Sequence, residues 1–203
     1  MDNPGITGNK PAGAGDLPSV FRPRDLVEHG HSVRHLQTLL RNNRAERVGR
    51  GLYRLKQAQT SEHETIAMVC KRAPNAVVCL LTALHMHGIG TQAPREVWIA
   101  IDRKARRPRF TKLSVRIVRF SGPMLTYAVD TVNSMGVPIR VTSPVRTVVD
   151  CFRYRRKIGT SIAIEALRDL LRSGKASPGD ILRVADACRA RSVITPYVEA
   201  FTE

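Results

Sequence analysis

Two stretches decide how this chain is read. They are Ser32-Val33-Arg34-His35-Leu36-Gln37-Thr38-Leu39-Leu40-Arg41-Asn42 and, just after it, Arg47-Val48-Gly49-Arg50-Gly51-Leu52-Tyr53-Arg54-Leu55. On a helix with 3.6 residues per turn, Val33, Leu36, Leu39 and Leu40 fall on one stripe. Arg34, Thr38 and Arg41 occupy the opposite face, with His35 and Gln37 on its flanks. Ser32 is a good N-cap. The apolar stripe suits docking on a core. The Arg-Thr-Arg face suits a DNA major groove, where arginine grips guanine O6 and N7 in a fork and threonine meets a thymine methyl or a phosphate. The helix N-terminus at Ser32 can meet a phosphate as well.

Working outward, the second stretch reads as two short strands around a Gly-x-Gly turn. Its Arg47, Arg50 and Arg54 are candidates to reach the DNA backbone beside the groove. Upstream, Pro23 to Gly30 reads as a short helix, with proline in its first turn and glycine at its end. Helix, turn, helix, β-hairpin is the order of a winged helix. From Arg22 to Lys56 nine basic residues face three acidic ones. A solvated surface helix is the plainer reading of residues 33–42 alone; the basic hairpin that follows and the charge of the whole chain argue against it.

That charge is large. The 203 residues carry 33 Lys and Arg against 17 Asp and Glu, a formal net charge of +16. A field of that sign gathers polyanions. A membrane surface would need an amphipathic or polybasic anchor, and none is evident. No apolar run reaches the roughly 18 residues of a membrane-spanning helix. The first 19 residues, rich in Gly and Pro, lack the apolar segment of a secretory signal and read as a disordered leader. A cytoplasmic location is expected. Cys70, Cys79, Cys151 and Cys188 are widely spaced among apolar neighbours and read as reduced core thiols rather than metal ligands.

A larger unit follows. Ser61 to Glu64 is a capping box opening a helix that ends before Pro74. Ala76 to Leu80, Glu96 to Asp102, Leu113 to Phe120 and Val137 to Val141 are strand candidates. Leu81 to Gly88 is a short helix. Ser143-Pro144 opens a helix to about Tyr154; further helices run from Ser161 to Ser173, from Ser177 to about Ala190 and from Thr195 to Phe201. The expected class is therefore α+β: a leader (1–19), a small winged helix-turn-helix domain (20–58), and a larger mixed α/β domain (59–203) with its strands early and its helices late.

Between two strands lies the basic segment Arg103, Lys104, Arg106, Arg107 and Arg109. It reads either as a second phosphate-binding surface or as a mobile hairpin loop that adds solubility. Catalysis has weak support. His85 and His87 stand two apart on a helix and point in different directions. Asp102, Asp130 and Asp150 are a conceivable carboxylate cluster for a metal-dependent nuclease, but pairing of Asp150 with Arg146, Arg153 or Arg155 is the plainer account. No phosphate loop, Gly-x-Ser-x-Gly or His-Glu-x-x-His occurs. No metal or cofactor is expected. Arg153, Arg155, Arg156 and Lys157 sit at a helix C-terminus, where cations favour the dipole.

The run Glu46 to Leu55 resembles the wing of the AbiEi antitoxin family of type IV toxin–antitoxin systems. Leu80 to Ile89 with Pro94 to Ile101, and Gly136 to Asp150, resemble the start and the strand-to-helix signature of that family's C-terminal domain. The resemblance implies a repressor that binds repeats in its own promoter as double-stranded DNA. It implies a nucleotidyltransferase-like toxin countered functionally rather than through a stable complex. The same features also fit a DNA-binding regulator with no toxin partner. One departure stands out: the helix that usually precedes residues 24–30 is replaced here by the Gly/Pro-rich leader.

Overall fold

The computed structural model describes residues 17–56, 64–111 and 113–202, and the chain divides into two compact units, Met1–Gln59 and Thr60–Glu203. Most of the expected leader, the start of the Ser61 capping box and Lys112 lie outside the described residues.

The first unit is a winged helix. Strand β1 (Val20–Phe21) precedes α1 (Pro23–Glu28), α2 (Val33–Arg41), β2 (Ala45–Gly49) and β3 (Leu52–Leu55). Pro23 opens α1, and the Asp25 carboxylate accepts the Arg22 N–H at 2.7 Å. The helix stops in a Schellman turn. Gly30 takes φ +75°, and the His31 N–H reaches back to the Leu26 carbonyl at 2.7 Å. Asn43 (φ +54°) ends α2 in the same way, its neighbour Arg44 donating to the Leu39 carbonyl at 2.9 Å. The strands pair antiparallel in the order β1-β3-β2, with a bulge between Arg47 and Gly49 and Gly51 at φ +65° in the turn. Leu17, Phe21, Leu26, Leu36, Leu39 and Ala45 form the core. This corrects the expected leader boundary: Leu17 is buried, and Ser19 accepts the Leu55 N–H at 2.9 Å. One apolar side chain and a two-residue strand tie residues 17–21 to the unit, and neither leaves a periodic signal.

The second unit is a mixed five-stranded sheet with helices gathered late in the chain. Its elements are α3 (Glu64–Arg72), β4 (Val77–Val78), α4 (Leu80–His87), β5 (Val97–Asp102), β6 (Val115–Phe120), β7 (Val129–Ser134), β8 (Val137–Thr142), α5 (Pro144–Arg153), α6 (Arg155–Ile158), α7 (Thr160–Arg172), α8 (Pro178–Ala187) and α9 (Arg191–Glu199). The sheet order is β6-β5-β4-β8-β7. The strand expected over Ala76 to Leu80 shrinks to β4, because Leu80 at φ +50° turns the chain directly into α4. Strand β7 was not expected. It lies at a sheet edge with Asp130, Thr131, Val132 and Asn133 all exposed, so no buried face patterns it. It pairs with β8 across Met135 and Gly136, both at positive φ. The last helix begins at Arg191, and Pro196 falls inside it rather than near its start.

Strands β5 and β6 pair parallel, in register from Val97↔Val115 to Asp102↔Phe120. Parallel neighbours need a connection that runs back the length of the strand. The basic segment 103–109 is therefore part of a return crossover, not a hairpin loop.

Helix α5 is the keystone of this unit. Ser143 caps it, its Oγ accepting the Arg146 N–H at 3.4 Å, and Pro144 starts it. It packs against α4, α7, α8 and α9. Helix α7 meets it with Ala163, Ala166, Leu167 and Leu170, an i, i+3, i+4, i+7 stripe. Inside this apolar shell sits a charged pair with no exposed surface. Arg146 Nε donates to Asp150 Oδ2 at 2.7 Å, and its Nη1 donates to the Tyr127 carbonyl at 2.9 Å. The guanidinium also lies over the Phe120 ring, 5.3 Å from its centroid. Burial pushes the Asp150 carboxyl above its ordinary range, while Arg146 and Arg153 pull it back. A buried guanidinium keeps its proton, and the Asp150 carboxyl is the acidic group placed against it.

Candidate nucleic-acid interface

Helix α2 docks through Leu36 and Leu39, and the helical repeat then dictates what faces outward. Arg34, Gln37, Thr38 and Arg41 are all exposed. Ser32 occupies the N-cap position, yet its hydroxyl makes no capping bond and stays available. The docking stripe is narrower than the sequence suggests: Val33 is 56% and Leu40 38% exposed. The helix is rotated towards His35. That ring is half-buried and stacks on His31, with centroids 4.8 Å apart and planes 11° from parallel. Neither Nε2 has a hydrogen-bond partner. Burial, aided by His31 and Arg44, lowers the His35 pKa. His35 thus sits on the inner side of the helix, away from the exposed arginines.

In the wing, Arg47 and Arg50 are exposed, and Arg47 Nε donates to the Gly49 carbonyl at 3.2 Å beside the bulge. Arg54 is different. It is half-buried and ion-pairs with Glu46, its partner across the hairpin register. Its charge is offset within the protein, which makes it a brace of the wing more than a hand for phosphate. Sequence spacing places Glu46 and Arg54 eight residues apart; only the hairpin register brings them together.

In the second unit Arg103, Lys104, Arg106, Arg107 and Arg109 are all exposed along the crossover. Arg119 fastens its first turn. One nitrogen, Nη1, donates to the carbonyls of Asp102, Arg103 and Ala105 at 2.8, 3.2 and 2.5 Å. Arg116 pairs with Glu96 at 2.7 Å and lies over Trp98.

The residues weighed for catalysis do not converge. Asp102 accepts the Lys104 N–H at 2.7 Å, Asp130 is exposed on the edge strand, and Asp150 is buried with Arg146. Arg153 also reaches Asp150, at 3.4 Å, whereas Arg155 donates to the Phe152 carbonyl near the end of α5. His87 contacts the Thr142 carbonyl at 2.6 Å, while His85 is exposed. The four thiols are buried, and burial pushes Cys70 up to about 12 and Cys188 to about 11, which keeps them neutral. Among the described residues no three or more His, Cys, Asp or Glu are placed to hold a metal ion, and no helix is long and apolar enough to cross a membrane.

A winged helix with an arginine-bearing second helix, followed by a mixed α/β unit built around α5, defines a two-unit regulator. The chain belongs to the AbiEi antitoxin family. The family described as "Transcriptional regulator, AbiEi antitoxin" matches residues 14–56, and the "AbiEi antitoxin C-terminal domain" matches residues 76–195. Among solved structures, the crystal structure of the RV2827C protein from Mycobacterium tuberculosis is similar in fold, with a TM-score of 0.57 at 14% identity. The match covers 83% of this chain and 67% of that one. No curated protein matches the sequence.

Proposed function

We propose that this chain is a non-catalytic antitoxin and autorepressor of a type IV toxin–antitoxin pair, acting in the cytoplasm. The first unit reads repeats in the chain's own promoter as double-stranded DNA, with α2 in the major groove and the wing on the adjacent backbone. Arg34, Gln37, Thr38 and Arg41 face the bases; Ser32, Arg47 and Arg50 meet phosphates. The second unit counters a nucleotidyltransferase-like toxin without a stable complex.

One observation carries the DNA reading. The packing of Leu36 and Leu39 leaves four polar side chains of one helix exposed together, two of them arginines, beside a wing whose Arg47 and Arg50 are exposed too. The test is a gel shift on the upstream region with Arg34→Ala plus Arg41→Ala. We expect at least about a thirtyfold loss of affinity, since each base-gripping arginine contributes about 1–3 kcal/mol. An unchanged shift refutes the helix assignment. For the antitoxin role, co-expression with the nucleotidyltransferase of a neighbouring gene should restore growth; failure to rescue sinks that part and leaves DNA binding standing.

A further inference from the structure

A groove of about 710 Å³ opens on the second unit. Four arginines from four segments line it: Arg103 after β5, Arg119 on β6, Arg153 at the end of α5 and Arg189 between α8 and α9. Phe120 and Met124 supply apolar lining, and no Asp or Glu lies among the lining residues. The volume falls within the roughly 300–1,000 Å³ of small-molecule sites.

Two of these arginines are fastened. Arg119 is held at three carbonyls through a single nitrogen, Nη1, and lines the groove. Arg153 rests on Asp150, whose other carboxylate oxygen is already taken by Arg146. A carboxylate shared between two guanidiniums leaves a positive excess there. Arg189 has an exposed side chain on a fixed piece of backbone. It takes φ +54° at the end of α8, where its neighbour Ala190 donates to the Ala185 carbonyl at 2.8 Å in the same turn that closes α1 and α4. Gly30 and Gly88 fill the equivalent positions there. A left-handed residue is normally Gly or Asn, so Arg189 takes a strained conformation at the groove wall.

We propose that this groove binds a nucleoside polyphosphate, the arginines gripping its linked phosphates and the Pro123–Met124 side receiving the base. The site is separate from the DNA-reading helix, and its failure leaves that reading untouched.

Titration calorimetry of the full chain tests it, with ATP, GTP, CTP, UTP, inorganic pyrophosphate and a short DNA duplex as probes. Nucleoside triphosphates should bind more tightly than pyrophosphate. Arg103→Gln and Arg189→Gly should each weaken them about tenfold, as expected for a lost charge-assisted hydrogen bond. Arg34→Ala should not. Arg189→Gly should melt no lower than the natural chain, because glycine adopts positive φ freely; its loss of binding is then not loss of fold. No binding at about 1 mM nucleotide, or triphosphate binding unchanged in both groove variants, overturns the proposal. Pyrophosphate binding as tightly as ATP overturns the nucleoside assignment. Binding of the duplex alone, lost in the same variants, overturns it in favour of a second nucleic-acid surface.

Discussion

The arginines of α2 and those of the second-unit groove share a charge but not a setting. Arg34 and Arg41 project from an exposed helix face. Arg119 and Arg153 are tied down by carbonyls and by Asp150. A long polymer with a repeating phosphate is well served by loose cations, because the attraction comes mainly from released counterions. A small ligand needs cations at set positions, since it repays little of the entropy of ordering them. The two surfaces are therefore suited to different sizes of anion.

The hardest blow to this contrast is to unfasten the second unit. Asp150→Ala leaves Arg146 buried without a counter-charge and should cost about 3–5 kcal/mol. Urea unfolding followed by the fluorescence of Trp98, which lies in this unit, measures it. A loss below about 1 kcal/mol would mean that Arg146 finds water or another partner. Next comes salt. If the exposed Arg34, Arg41, Arg47 and Arg50 all displace counterions, duplex affinity should fall on the order of a hundredfold between about 50 and 200 mM salt. A shallow slope in a binding titration would deny that the wing and α2 act on the backbone.

Smaller effects lie in the two supports. His35 has a lowered pKa in the folded chain, so the unfolded chain binds its proton more readily. Its contribution to stability is therefore complete above about pH 6.5 and is lost as pH falls from there through the lowered folded value. Protection of the α2 amides against hydrogen exchange, corrected for intrinsic rate, should fall over that window, and His35→Gln should flatten the change. The weakest effect belongs to Asp180, which caps α8 by accepting from the Ser177 hydroxyl and N–H, and whose pKa those bonds lower. Its contribution is present above the ordinary carboxylate range near pH 4 and disappears as pH drops through the lowered value. Asp180→Asn should remove only this shallow acid limb from the melting curve.

What the sequence made legible was local. Ser177 with Asp180, Ser143 with Pro144, and Gly49 with Gly51 announce caps and a turn within a few residues, and the structure has them. The α2 pattern announces a helix, but a nine-residue helix with four apolar residues can be rolled either way. Only the packing of Leu36 and Leu39 decides that His35 turns inward and Leu40 outward. The pairing of Arg54 with Glu46, the parallel β5–β6 ladder and the Arg146 contacts to Tyr127 and Phe120 depend on residues brought together by the fold. The exposed edge strand β7 has no buried face to print a pattern. The arginines of the second-unit groove were each visible as residues; their convergence was not.

The two-residue strand β1 has a practical consequence for anyone trimming this protein. Among the described residues the first, Leu17, already has a buried side chain. Trypsin offered the Arg22–Pro23 bond finds one that it cuts poorly, because proline follows the arginine (the ring blocks the usual fit). A shortened gene that starts at Pro23, as a reading from the first helix would suggest, discards Leu17, Val20 and Phe21 together and strips the wing sheet of one of its three strands. A version that starts at residue 17 keeps them.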